Sequence, residues 1–366
     1  MNKEHILKIC NLILRHSLQI QRKEKVLIHL IGSYNHFIGV LHQQIYQIGA
    51  IPFLQITPPE ILKSTVNHST PYQILRIFDF NYHTIAKMDA IITITIDNNL
   101  FEFGDIPPQK RKVYEELYDN PIERLILSKK RWLTFNYPSE SYAQRAKLSY
   151  DAFVRTFIKA CEFNYKLLES SCDSLQARMQ KAKTVQIKAS DTNLRFNLEA
   201  NPVVVCDAKH NLPDGEIFTS PNKDSAEGYI RFDAPSIFKN IDFEFIELTF
   251  RNGKVVNARS NNDKELFKIL QIDKGANRIG EFGIGLNTAL IEPLKLLPYD
   301  EKIKGSIHLA LGQSYPESYN KNDSKIHWDL TKTMDKDSKG ELFFDNQLIQ
   351  KNGVFITHDL KHLNHL

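Results

Sequence analysis

Cysteine is scarce in this chain and long apolar runs are missing. Its 366 residues include only Cys10, Cys161, Cys172 and Cys206, with no Cys-x-x-Cys spacing. No disulfide framework is encoded, and a reducing cytoplasm is expected. The leucine- and isoleucine-rich stretch from Ile6 to Ile20 is broken by Lys8, Asn11, Arg15 and His16 before it reaches signal-peptide length. Ile6, Ile9, Cys10, Ile13 and Ile20 instead fall near helical spacing, which predicts an amphipathic helix. Nothing else approaches the roughly 18 apolar residues of a membrane span, so a soluble protein with no membrane partner is expected. Charge of one sign is also lacking. The 47 basic and 43 acidic residues leave +4, and no basic run interleaves with aromatics, which argues against nucleic acid. Neither a Gly-x-Gly-x-x-Gly after the first strand nor a Walker loop supports nucleotide binding.

What is present falls into two textures, and a chain of this length suits two domains. In the first, short apolar runs alternate with helix-period stretches. Lys25–Ile31 reads as a strand, 35–48 as a helix stopped by Gly49, and Ile51–Ile56 as the next strand. A helix from about Pro71 to Met88, a strand Ala90–Ile96, a helix after Pro107-Pro108 and a strand Arg131–Phe135 follow. Strands separated by helices imply parallel pairing, because a parallel crossover is too long for a hairpin. The expectation is an α/β N-terminal domain over residues 1–175 with a mainly parallel sheet. From about Thr184 the pattern becomes strand alternation with tight turns at Asn252-Gly253, Asp345-Asn346 and Asn352-Gly353. A mainly β (α+β) C-terminal domain, 176–366, is expected.

Four stretches in this second half hold the chemistry. In Ile326-His-Trp-Asp-Leu330, a strand would send Ile326, Trp328 and Leu330 to one face and His327 with Asp329 to the other. The pair serves as a satisfied surface pair or as part of a metal site that needs three or four more ligands. His308 lies opposite Ile307, Leu309 and Leu311, where a structural role and a ligand role both fit. Glu281 shares its strand face with Gly283 and Gly285, and repeated glycine implies that something approaches the backbone closely. Pro213-Asp-Gly-Glu216 is a turn delivering Glu216 ahead of an apolar run, or simply an exposed turn acid. Together these offer oxygen and imidazole donors without thiolate, a set suited to zinc, cobalt or manganese, with carboxylates able to bridge two ions.

At these residues the chain resembles the aminopeptidase T, aminopeptidase S and PepS family of dinuclear metallo-aminopeptidases. The likeness runs through Pro-Asp-Gly-Glu-Ile-Phe-Thr-Ser-Pro (213–221), Gly-Ala-Asn-Arg-Ile-Gly-Glu-Phe-Gly-Ile-Gly-Leu-Asn (275–287), Ile-His-Leu-Ala-Leu-Gly-Gln-Ser-Tyr-Pro-Glu (307–317) and Ile-His-Trp-Asp (326–329). Asn-Tyr-Pro-Ser-Glu-Ser-Tyr-Ala-Gln (136–144) and Met88-Asp-Ala-Ile-Ile-Thr-Ile join more loosely. The resemblance implies that Glu216, Glu281, His308, His327 and Asp329 ligate two divalent ions, Zn2+ or Co2+ first and Mn2+ or Mg2+ next. It implies Tyr315 as the catalytic tyrosine, peptides with a free N-terminus as substrates, and a homodimer. The substrate's α-amino group would be held by a metal ion or by a spare carboxylate such as Glu317.

The activity implied is removal of N-terminal amino acids by attack of a metal-activated water on the first peptide bond. Its rivals are another dinuclear metallohydrolase, either an amidohydrolase or a phosphoesterase, and a catalytically silent peptide-binding homologue. The tail after Ile356 looks additional to the family pattern. His358 and His362 stand four apart there, and a frayed, solvated end is expected rather than a second metal site.

Overall fold

The apolar runs of the first half form the parallel strands Lys25–Ile31, Ile51–Thr57, Ala90–Thr95 and Trp132–Asn136. Across the sheet the order is 51–57, 25–31, 90–95, 132–136. The helix His36–Ile48 begins where Asn35 accepts from the Ile38 N–H at 3.2 Å, and it stops at Gly49 with φ 84°. Thr70 and Gln73 form a reciprocal capping box at the start of Pro71–Ala86. The N-terminal helix Lys3–Asn11 buries Ile6, Ile9 and Cys10 on one face, as an amphipathic helix does. Among the described residues no helix is long and apolar enough to cross a membrane.

The computed structural model describes residues 1–129, 131–238 and 241–366. It divides into one unit of residues 1–162 with 208–212 and another of 163–207 with 213–366. The second unit holds an eight-stranded sheet and a five-stranded sheet whose pairings are antiparallel. In the five-stranded sheet the order is His327–Lys332, Ile307–Gly312, Ile279–Gly285, Glu216–Thr219, Val204–Cys206. The expected turns are in place: Asn252 and Gly253 have φ 49° and 73° between Ile246–Arg251 and Lys254–Ser260. Asp345 and Asn346 (47° and 67°), and Asn352 and Gly353 (51° and 72°), turn the strands near the end.

One face of the five-stranded sheet is apolar. Ile217, Phe282, Ile284, Leu309, Trp328 and Leu330 are all buried. The Phe282 ring meets Phe196 of the eight-stranded sheet at 5.3 Å, and Trp328 packs on Phe238 and Phe243 while donating to Ser236 Oγ at 2.9 Å. Period-two alternation then sends the intervening residues to the opposite face.

The tail departs from the expected frayed end. Leu360 and Leu363 are buried, and the Asn364 side chain exchanges two 2.9 Å hydrogen bonds with the Phe355 backbone. His362 donates from Nε2 to the Ser171 carbonyl at 2.9 Å, and His358 is exposed. Apolar burial every third residue, invisible beside so many polar neighbours, is what holds this segment down. Arg178 adds two bonds to Asp359, at 2.6 and 2.8 Å.

The Arg178 hydrogen bonds hold the Asp359 carboxyl at about 2, below its ordinary 3.8. The folded value is the lower one, so the stabilisation is complete above the unfolded value and fades as pH falls through about 2. Both groups are partly exposed, which keeps the effect modest. Urea unfolding at about pH 5 and about pH 2.5 should show a larger loss for wild type than for Asp359→Asn. Equal losses would remove this pair from the anchoring of the tail.

Candidate metal centre

Strand register brings the five predicted ligands to one sheet face. Gly285 pairs with Glu216, Gly283 with His308, Glu281 with Ala310, Ala310 with Asp329, and Gly312 with His327. Directly paired residues share a face, and residues two apart on one strand do as well. Glu216, Glu281, His308, His327 and Asp329 therefore project together, opposite the Phe282–Trp328 core face.

Their ligand atoms form two overlapping clusters. Glu216, Glu281 and His308 place donor atoms within 4.8 Å of one another, and so do Glu281, His327 and Asp329. Glu281 belongs to both. His308 Nε2 lies 3.2 Å from Glu281 Oε1 and 3.4 Å from Glu216 Oε2, and His327 Nε2 lies 3.2 Å from Asp329 Oδ2. Burial by itself lowers the basicity of both imidazoles, but the carboxylates reverse it. Glu216 and Glu281 carry His308 up to about 9, and Asp329 carries His327 up to about 10. The cage is strongly cation-seeking.

Whether divalent metal fits here is decided by the atoms left over. Glu216 Oε2, Glu281 Oε2, His308 Nδ1 and Asp329 Oδ1 are buried without a hydrogen-bond partner in the protein. Orphaned polar atoms of this kind are costly unless something completes them. His327 Nδ1 donates to the Gln313 carbonyl at 2.7 Å, which leaves Nε2, turned toward Asp329, as the nitrogen a metal ion would take in place of a proton. A carbonyl that fixes the tautomer of a histidine is a recurrent support for metal ligation. The donor set therefore fits divalent metal.

The glycines make this face possible. A Cβ at Gly283 would overlap the His308 ring, and one at Gly285 would overlap the Ile303 carbonyl oxygen. The close approach expected from the glycine repeat is made by the protein's own imidazole and backbone. Glu216 arrives through a turn in which Gly215 adopts φ 117° against Asn287. Tyr315, beyond the end of the His308 strand, lays its ring 4.5 Å from His327 and 5.8 Å from Phe218. Although 44% of its surface is exposed, local burial and then the Asp329 and Glu281 charges push its phenol well above the usual value. Glu317 stands exposed on the 3-10 turn Pro316–Ser318, outside the clusters.

A third cluster was not legible in the sequence. Cys206, Asp214 and Glu216 also bring ligand atoms within 4.8 Å of one another. Buried Lys302 reaches into it, with Nζ 2.6 Å from Glu216 and 3.6 Å from Asp214. In Tyr299-Asp-Glu-Lys-Ile-Lys304 the lysine reads as part of a solvated charged segment, and no periodicity marks it as buried.

Comparison with known proteins places the chain in a family. The sequence profile described as thermophilic metalloprotease (M29) matches residues 2–355, and the chain belongs to that M29 peptidase family. "Aminopeptidase 2" of Geobacillus stearothermophilus is 30% identical over 137 residues, 33% of each chain. "Aminopeptidase T" of Thermus thermophilus is 31% identical over 111 residues, 30% of this chain and 27% of that one. These matches span about a third of the relatives' length. The fold matches more fully: the structure titled "Wild-type AmpT from Thermus thermophilus" superposes with a TM-score of 0.80 at 16% identity, over 97% of this chain and 100% of that one.

If Gly283 exists to seat the His308 ring, Gly283→Ala should displace a ligand without altering one. We expect divalent-ion affinity to fall about 10–100-fold by calorimetry, with a stability cost of about 1–3 kcal/mol from overpacking. Unchanged affinity would mean that the glycine does not set the imidazole's place.

Proposed function

We propose that the protein is a metal-dependent aminopeptidase that removes N-terminal amino acids from peptides. The observation that supports this best is the pair of buried ligand clusters sharing Glu281 on one sheet face, in a chain of the M29 family. Glu216, Glu281, His308, His327 and Asp329 would hold two divalent ions, and Glu281 is common to both ligand clusters. An oxygen and imidazole set favours Zn2+ or Co2+, with Mn2+ or Mg2+ as weaker fits. When bound, such ions supply a water activated near neutral pH and Lewis-acid polarisation of the scissile carbonyl.

The protein's own groups do the rest. Gln313 holds the His327 tautomer through its carbonyl. The Tyr315 phenol, beside His327 and kept protonated, would donate to the oxyanion of the tetrahedral intermediate. The apolar strands behind the site keep the ligand backbones rigid.

The unit outside the site supports a homodimer. Ile51–Thr57 is the outer strand of its sheet and leaves Ile51, Phe53, Leu54 and Ile56 exposed, an apolar edge that a second copy would cover. Sedimentation should report a dimer, weakened by Phe53→Glu; a stable monomer at micromolar concentration would overturn this. Four free cysteines, three of them buried, support a cytoplasmic location.

Hydrolysis of leucyl and other aminoacyl anilides should require added Co2+ or Zn2+. Glu281→Ala should lose ions and activity together, whereas Tyr315→Phe should keep the ions and lose about 100-fold or more in kcat. Ion binding with no cleavage of any aminoacyl substrate would sink the aminopeptidase reading, and full turnover in Tyr315→Phe would remove the phenol's role.

A further inference from the structure

Lys302 is a fully buried lysine whose ammonium touches a proposed metal ligand. Nζ lies 2.6 Å from Glu216 Oε1, 2.6 Å from Glu301 Oε1 and 3.6 Å from Asp214 Oδ1. The backbone is built to bring it there. Gly285, paired with Glu216, has no side chain to fend off the 302–303 backbone, and the Asn287 N–H donates to the Lys302 carbonyl at 3.0 Å. The Asp300 carboxylate anchors the preceding loop by accepting from the Leu294 and Leu296 N–H groups.

Three clusters in this sheet have the spacing of metal ligands, yet the one formed by Cys206, Asp214 and Glu216 already contains a cation of the protein's own. Glu216 belongs to this cluster and to the Glu281–His308 cluster. Its two oxygens are divided between them: Oε1 is taken by Lys302, and Oε2 is the orphaned atom 3.4 Å from His308 Nε2.

Resting on the metal reading above, we infer that Lys302 is a positioning residue: its ammonium fills the Cys206–Asp214–Glu216 cluster as a fixed cation and turns the free oxygen of Glu216 toward His308. The cluster with the thiol is thereby closed to metal. Glu216 is restricted to one oxygen for the centre, and Cys206 stays out of the ligand set. A lysine that merely satisfied buried acids would stabilise the fold without controlling where ions bind.

Co2+ titration of the full chain, followed by equilibrium dialysis and absorption, separates these roles. Wild type should bind two ions and show d–d bands with no thiolate-to-cobalt charge-transfer band, and Cys206→Ser should match it. Lys302→Met should bind at the Glu216–Glu281–His308 cluster about 10–100-fold more weakly. It should also gain a thiolate charge-transfer band that disappears when Cys206→Ser is added. A thiolate band in wild type, abolished by Cys206→Ser, would overturn the inference even if Lys302→Met fails to fold. So would a Lys302→Met protein with wild-type affinity and spectrum. If wild type binds no divalent ion, the metal reading fails and this inference with it; two ions bound and an unaltered Lys302→Met spectrum refute the role of Lys302 alone.

Discussion

Negative charge buried on one face of a sheet governs this structure. Glu216, Glu281 and Asp329 are all buried, and carboxylates withdrawn from water are stable only when positive charge or hydrogen bonds meet them. The apolar face behind them cannot help. Relief comes from the same side: two imidazoles, the ammonium of Lys302, and, in the proposed centre, the ions that would meet the orphaned oxygens. The glycines, the Gly215 turn and the short helix before Lys302 all serve to bring these charges within reach of one another.

Much of this was legible because a strand imposes a period of two. Ile326-His-Trp-Asp-Leu330 could be sorted into two faces before any pairing was known, and the strand His327–Lys332 sorts it that way. The parallel sheet of the first half followed from strands spaced by helices, and the hairpins followed from Asn-Gly and Asp-Asn pairs that tolerate positive φ. The five proposed ligands stood out on strand faces and at a turn, and motif likeness then tipped them from structural groups to ligands. Alternation told which face each occupied, while only register tells that Gly285 lies opposite Glu216 and Gly312 opposite His327.

The parts that were missed share a cause. Lys302 sits in a polar segment with no repeating pattern, and the tail residues Leu360 and Leu363 stand among polar neighbours, so their burial depends on distant chain. Cys206 is similar: it meets Glu216 through strand pairing alone. A lone lysine among Asp, Glu and Lys looks solvated until the backbone that carries it is seen lying against a glycine.

The sharing of strands among the ligands bears on when ions can take part in folding. Apart from His327 and Asp329, no two of the five are close in the sequence, and the His308 strand must pair on both sides before the clusters exist. Contacts of such high sequence separation form late in folding. Ions bound at the proposed centre would therefore meet a finished sheet and act by mass action on the native state, raising its population rather than templating its formation. The apoprotein carries the whole burden of assembling a face crowded with like charge, which makes Lys302 and the two imidazoles its folding counterions.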